Sequence, residues 1–162
     1  MEKLNKQMTD TINKCCGLNI TATLATGFEM SQNNQSIYYS ITVDKCDKDF
    51  CNFVNKTWNC NFKPQSVELM ELSILHEVGH FKTFPYFSNN NFAWNQLCKL
   101  FINKMPKCLS RLQNYLYFHL PLEKTATAWA VNYLRKCPKK AKVLEKEMVA
   151  SVTDFYKRAG IG

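Results

Sequence analysis

Two of the chain's three histidines, His76 and His80, stand four residues apart in the run His76-Glu77-Val78-Gly79-His80. On an α-helix, at ~100° per residue, His80 lies about 40° around from His76 and one turn along. Both imidazoles then reach a single metal ion about 2.0–2.1 Å away. At the same pitch Glu77 lies about 100° from His76 and about 60° from His80, so it flanks the ion and can take a proton from a bound water. The run is an H-E-x-x-H pattern, for which zinc is the expected metal by ligand type. It predicts a helix over 66–81, with Val67, Ile74, Val78 and Phe81 on the core side. Gly79 weakens that helix by about 1 kcal/mol relative to Ala, which points to close packing beside the site. Glu71 falls near the apolar arc, where the sequence gives no reason for it.

A catalytic zinc takes three protein ligands and leaves one position for water. No Asp or Glu occurs between His80 and Glu123. A motif extended to a third histidine needs Gly at Thr83 and His at Tyr86, and has neither. A glutamate some twenty residues downstream is excluded by the same acid-free stretch. A downstream acidic ligand is therefore Glu123 or a later residue, and Glu123, just after Pro121 at the start of a helix, is the candidate its surroundings favour. Thr127, Ala130 and Leu134 share its face, small enough at 127 and 130 for close approach, and Thr127 is placed to orient a ligand. His119 competes: it reads as third ligand, as a donor to a developing oxyanion, or as a packed or surface histidine. Tyr117 and Tyr86 are alternative donors.

Around this motif the periodicity changes once. Residues 2–14 read as an amphipathic helix ended by Gly17. Residues 18–24 and 36–43 alternate with period two and read as strands, with a turn over 31–35. Residues 53–62 are a possible third strand. Helical periodicity then marks 66–81, 93–104, 108–117, 122–137 and 139–158, broken at Asn89-Asn90-Asn91, Pro106, Pro121 and Pro138. This is an α+β arrangement: an N-terminal helix and a small antiparallel sheet, then a mostly helical half. The 162 residues suit one domain, 1–162.

The net charge of +8 is concentrated late. Residues 81–122 carry Lys82, Lys99, Lys104, Lys107 and Arg111 and no acid. Such a surface attracts nucleic acid, an acidic protein or anionic lipid, or serves only solubility. No apolar run reaches the ~18–20 residues that span a bilayer, and no membrane partner is expected. The first residues lack a secretory pattern, so a cytoplasmic protein is expected. The eight cysteines, without C-x-x-C spacing, are expected as reduced and mostly buried thiols. A second zinc site from Cys46, Cys51 and Cys60 is a weak alternative.

Together, His76-Glu77-Val78-Gly79-His80 and Glu123-x-x-Ala126-x-x-Trp129-Ala130 resemble the gluzincin-type metallopeptidases, and most closely the ImmA/IrrE-like family of phages and other mobile elements. The resemblance spans about residues 1–137 and is carried by these two stretches. It implies a zincin-like fold, with His76, His80 and Glu123 on zinc and Glu77 as general base. Thr125-Ala126-Thr127 replaces the family's Glu-Ala-Asn pattern, and the gap from His80 to Glu123 is longer than usual.

The resulting expectation is a zinc-dependent metallopeptidase acting on a protein or peptide substrate. Residues 81–122 would border the cleft and favour acidic substrates, and the strand over 37–43 would be the edge on which a peptide docks. The alternative is a binding module on the same scaffold, without turnover, for an acidic protein or nucleic acid. Trp129, Tyr133 and Tyr156 among basic helices permit it, although no nucleic-acid motif is present.

Overall fold

The structure, a computed structural model, describes residues 2–31, 35–40, 48–86, 89–158 and 160. Helix α1 (Glu2–Cys16) buries Leu4, Met8, Ile12, Cys15 and Cys16, at helical spacing along one face. It ends at Gly17, whose φ of +61° is the left-handed conformation that glycine adopts without strain. Three short strands follow: β1 (Thr21–Leu24), β2 (Glu29–Ser31) and β3 (Ser36–Tyr39). The rest is helical: α2 (Lys48–Trp58), α3 (Val67–Thr83), α4 (Asn89–Asn103), α5 (Ser110–Phe118), α6 (Pro121–Lys136) and α7 (Pro138–Arg158). This is the expected α+β class.

The sheet departs from the expected antiparallel hairpin. Its order is β1-β3-β2, with β1 parallel and β2 antiparallel to β3. The connection between the two expected strands carries a strand of its own, Glu29–Ser31, which meets the expected turn over 31–35 at Ser31 and is too short to show alternation. β3 is therefore central, and the proposed docking edge over 37–43 is not an edge; residues 41–43 lie outside the described residues. The outer edge of β1 is closed by α1. Asn5, Thr9 and Asn13, one turn apart, accept the backbone N–H groups of Leu24, Ala22 and Ile20 at 2.9, 2.8 and 3.1 Å. Among the described residues no strand pairs the outer edge of β2 either, and that edge faces away from α1 across the sheet.

The possible third strand over 53–62 is also corrected. Residues 48–58 are helix α2, whose Phe50, Cys51, Phe53 and Val54 lie buried on one face. Their i, i+3, i+4 spacing outweighs the strand propensity of their aromatic and branched side chains.

Helix α3 runs through the centre of the molecule. Every residue from Leu69 to His80 is buried. Ser66 caps it, its hydroxyl accepting from the Leu69 N–H at 3.2 Å. Ile74 and Val78 are fully buried in the core, and Val67 and Phe81 pack at its margin. Helix α6 lies directly against it. A Cβ built on Gly79 would stand 2.4 Å from the Ala126 carbonyl oxygen, so these backbones meet only because residue 79 has no side chain.

Seven cysteines are described, all free. Cys15, Cys16 and Cys51 are buried, Cys60, Cys98 and Cys137 half-buried and Cys108 exposed; Cys46 lies outside the described residues. No helix among the described residues is long and apolar enough to cross a membrane.

Candidate metal centre

The packing of α3 on α6 brings together side chains 47 positions apart in the chain. His76 Nε2 lies 3.2 Å and His80 Nε2 3.3 Å from Glu123 Oε2, and the two Nε2 atoms are 3.1 Å apart. All three residues are buried.

The orientation of His76 is set from outside the group. Thr127 Oγ1 donates to the Glu123 carbonyl at 2.8 Å, which leaves its lone pairs to accept from His76 Nδ1–H at 2.9 Å. The hydrogen therefore sits on Nδ1, and the Nε2 lone pair faces Glu123 Oε2. Two lone pairs converging on a third in a buried space repel unless a positive charge lies among them. The titration tendencies agree. Burial disfavours charge on His76, but the hydrogen bond to Glu123 and the Glu77 carboxylate outweigh it and raise its pKa. Burial likewise opposes charge on Glu123, yet the hydrogen bonds to both histidines hold it well below the usual carboxylate range. His76, His80 and Glu123 thus form a buried group that can hold a metal ion, and the donor set fits one.

Helix α4 supports the third ligand, and the sequence reading missed this. Its Asn95, buried, accepts from the Leu122 N–H at 3.2 Å and so satisfies an orphan donor in the first turn of α6. One turn further, Lys99 Nζ meets Glu123 Oε1 at 2.5 Å and lies 5.1 Å from the centre of the Tyr117 ring. Two polar residues four apart, facing inward from a helix with an apolar outer face, were the available signal.

Glu77 is buried beside the histidines and lines two spaces: a cavity of about 530 Å³ shared with His80, Lys99 and Tyr117, and one of about 200 Å³ shared with His76 and Tyr117. Burial raises its pKa against the opposing pull of His76 and His80. Burial first, then the charges of Glu123 and Glu77, raise the Tyr117 pKa and keep the phenol a donor. The larger cavity is also walled by Glu29, Met30 and Ser31 of β2 and by Phe84, Phe92, Gln96 and Leu122. The 81–122 segment does border the cleft. Of its five bases only Lys99 lines that cavity, and it is paired with Glu123.

His119 is placed elsewhere. It ends α5, exposed, with its Nδ1 2.7 Å from the Tyr115 carbonyl and its ring against Tyr115 and Phe53. It lines a separate depression between α2 and α5. Of the expected site residues, His76, Glu77, His80 and Glu123 come together and His119 does not join them. Tyr86 has no described side chain.

Compared with protein-family models, curated proteins and solved structures, the chain finds no match.

Proposed function

We propose that this chain is a zinc-dependent metallopeptidase, hydrolysing peptide bonds of a protein substrate. The carrying observation is the buried His76, His80 and Glu123 group with Glu77 in the wall of the adjoining cavity. A tetrahedral site with ligand bonds of ~2.0–2.1 Å has ligand atoms about 3.3–3.4 Å apart. The 3.1, 3.2 and 3.3 Å separations here are close to that edge. Two imidazoles and one carboxylate also favour zinc over calcium or magnesium, which take oxygen donors. The resemblance of the two motif stretches to the gluzincins supports the same reading.

Zinc, when bound, polarises a scissile carbonyl and acidifies a water molecule. The residues of the chain supply the rest. Glu77, its pKa raised by burial, takes the proton of the attacking water and returns it to the leaving amine. Tyr117, kept protonated in the same wall, donates to the carbonyl oxygen as negative charge develops there, the role His119 is too remote to fill. Thr127 and Lys99 hold the ligands in place. The unpaired edge of β2, which lines the cavity, offers main-chain groups on which an extended peptide can align.

The test is metal content and proteolysis of the wild type beside Glu77→Gln, using dye-labelled unfolded casein and a fluorogenic peptide library as probes. The variant should keep its zinc and lose turnover by about 100-fold or more. Equal hydrolysis by both proteins, or wild type that binds no zinc, overturns the proposal.

A further inference from the structure

Helix α4 is built inside out. Its inward side carries Asn95 and Lys99, engaged with Leu122 and Glu123. Its outward side carries Trp94, 64% exposed, and Phe101, 75% exposed, with Leu97 and Leu100 also in water. With Lys104, these four share an arc of about 120°. Leu109, just before α5, and Leu112, Tyr115 and Leu116 on α5 extend the exposed apolar set. Eight of the ten large apolar side chains exposed among the described residues therefore fall within 94–116, concentrated on α4, α5 and their connection rather than scattered over the chain.

The charge around this face selects what covers it. Lys104, Lys107 and Arg111 are exposed at the connection between α4 and α5, and no acid occurs from 81 to 122. Two copies of such a face repel one another, so self-pairing is disfavoured. Protein interfaces also use directional hydrogen bonds, about one per 100–200 Å². Within the arc from Trp94 to Lys104 only the Trp94 indole N–H and the Lys104 ammonium can make one, and both are donors without an acceptor. A lipid surface asks for none: it takes apolar side chains at the acyl boundary and pairs ammonium and guanidinium groups with headgroup phosphates.

We propose that the outward face of α4 and α5 docks on an anionic lipid surface. The chain lies on the membrane and does not cross it; the lack of a spanning run, which argued against a membrane partner, bears only on crossing. Phe92, Gln96 and Lys99 of α4 line the metal-side cavity, on the side of the helix turned away from this face.

The test is co-sedimentation with vesicles of equimolar phosphatidylglycerol and phosphatidylcholine, against phosphatidylcholine alone, at low and high salt. The protein should partition onto the anionic vesicles at least about ten-fold more strongly, and salt should weaken it. Phe101→Glu, and separately Lys104→Glu with Lys107→Glu, should each reduce partition about ten-fold or more while Val149→Glu, on the exposed side of α7, leaves it unchanged. Tryptophan emission should shift to the blue on binding, and Trp94→Phe should abolish the shift although Trp58 and Trp129 remain. Equal binding to neutral vesicles, no binding, or full binding by folded Phe101→Glu overturns the proposal. So does self-association that Phe101→Glu removes, which assigns the face to a second copy.

Discussion

His76 and Thr127 are joined across two helices by a 2.9 Å hydrogen bond from Nδ1 to Oγ1. Because Thr127 spends its own hydrogen on the Glu123 carbonyl, this one hydroxyl fixes a histidine tautomer and ties it to the helix that carries the carboxylate. Thr127→Val keeps the shape and removes the acceptor, leaving a buried N–H without a partner. Zinc affinity should fall about 10–100-fold, the usual cost of losing a group that orients a ligand. Competition with a chelating dye measures it, and unchanged affinity would show that the hydroxyl does not orient His76.

Gly79 and Ala126 set the distance between those helices. In Gly79→Ala the new methyl would meet the Ala126 carbonyl oxygen at 2.4 Å, and that atom belongs to backbone. Alanine improves intrinsic helix propensity by about 1 kcal/mol, but forcing two packed backbones apart costs more. A net loss of about 1–3 kcal/mol is expected. Thermal unfolding should drop by about 2–4 °C per kcal/mol, and zinc affinity should fall with it because Glu123 moves away. A variant more stable than wild type would mean the helices can separate without strain.

The parts of this site that the sequence disclosed are those fixed by helical pitch. His76, Glu77 and His80 sit within one turn and a third, where local geometry decides everything. Glu123 was reached because no other acid follows His80 until that point, and Gly79 with the small Thr127 and Ala130 hinted at a close contact, which the structure places at Ala126. What failed depended on tertiary placement. His119 and Tyr117 are two residues apart at the end of α5, which turns them about 200° from each other, and only the seating of that helix decides which one lies beside Glu77 and His80. Lys99 and Asn95 gain their roles from the docking of α4 against α6; their four-residue spacing puts both on one side of α4 but does not say which helix that side meets. In the sheet, Asn5, Thr9 and Asn13 close a strand edge, a role that amphipathic periodicity over 2–14 does not specify.

Glu71, out of place in the sequence, is buried on α3, with one carboxyl oxygen lacking a partner among the described residues. Burial, with the Glu145 and Glu68 charges adding and Lys142 opposing, raises its pKa to about 8. The unfolded chain releases this proton near the ordinary value of about 4.3, so between there and pH 8 the unfolded state binds fewer protons than the folded one. Stability should fall with rising pH across that window, by a few kcal/mol at most, and level off above it. Glu71→Gln removes the ionisation and should flatten the curve. Chemical denaturation at a series of pH values reads the effect; parallel curves for the two proteins would locate the titration elsewhere.

Binding at a site assembled by folding must stabilise the fold. His76, His80 and Glu123 converge only when α3 and α6 are packed, and the unfolded chain offers no such arrangement. At free zinc about a thousand times its dissociation constant, linkage gives about 4 kcal/mol. For a chain of this size that is a rise of about 10 °C in the unfolding midpoint. His80→Ala leaves two ligands and should lose most of the rise, as should Glu123→Gln, which retains the size of the carboxylate but not its charge. His119→Ala should keep all of it, because that ring lies against Phe53 and Tyr115 and not among the three donors. Scanning calorimetry with and without added zinc separates the cases, and a full shift in His80→Ala would place the ion somewhere other than between α3 and α6.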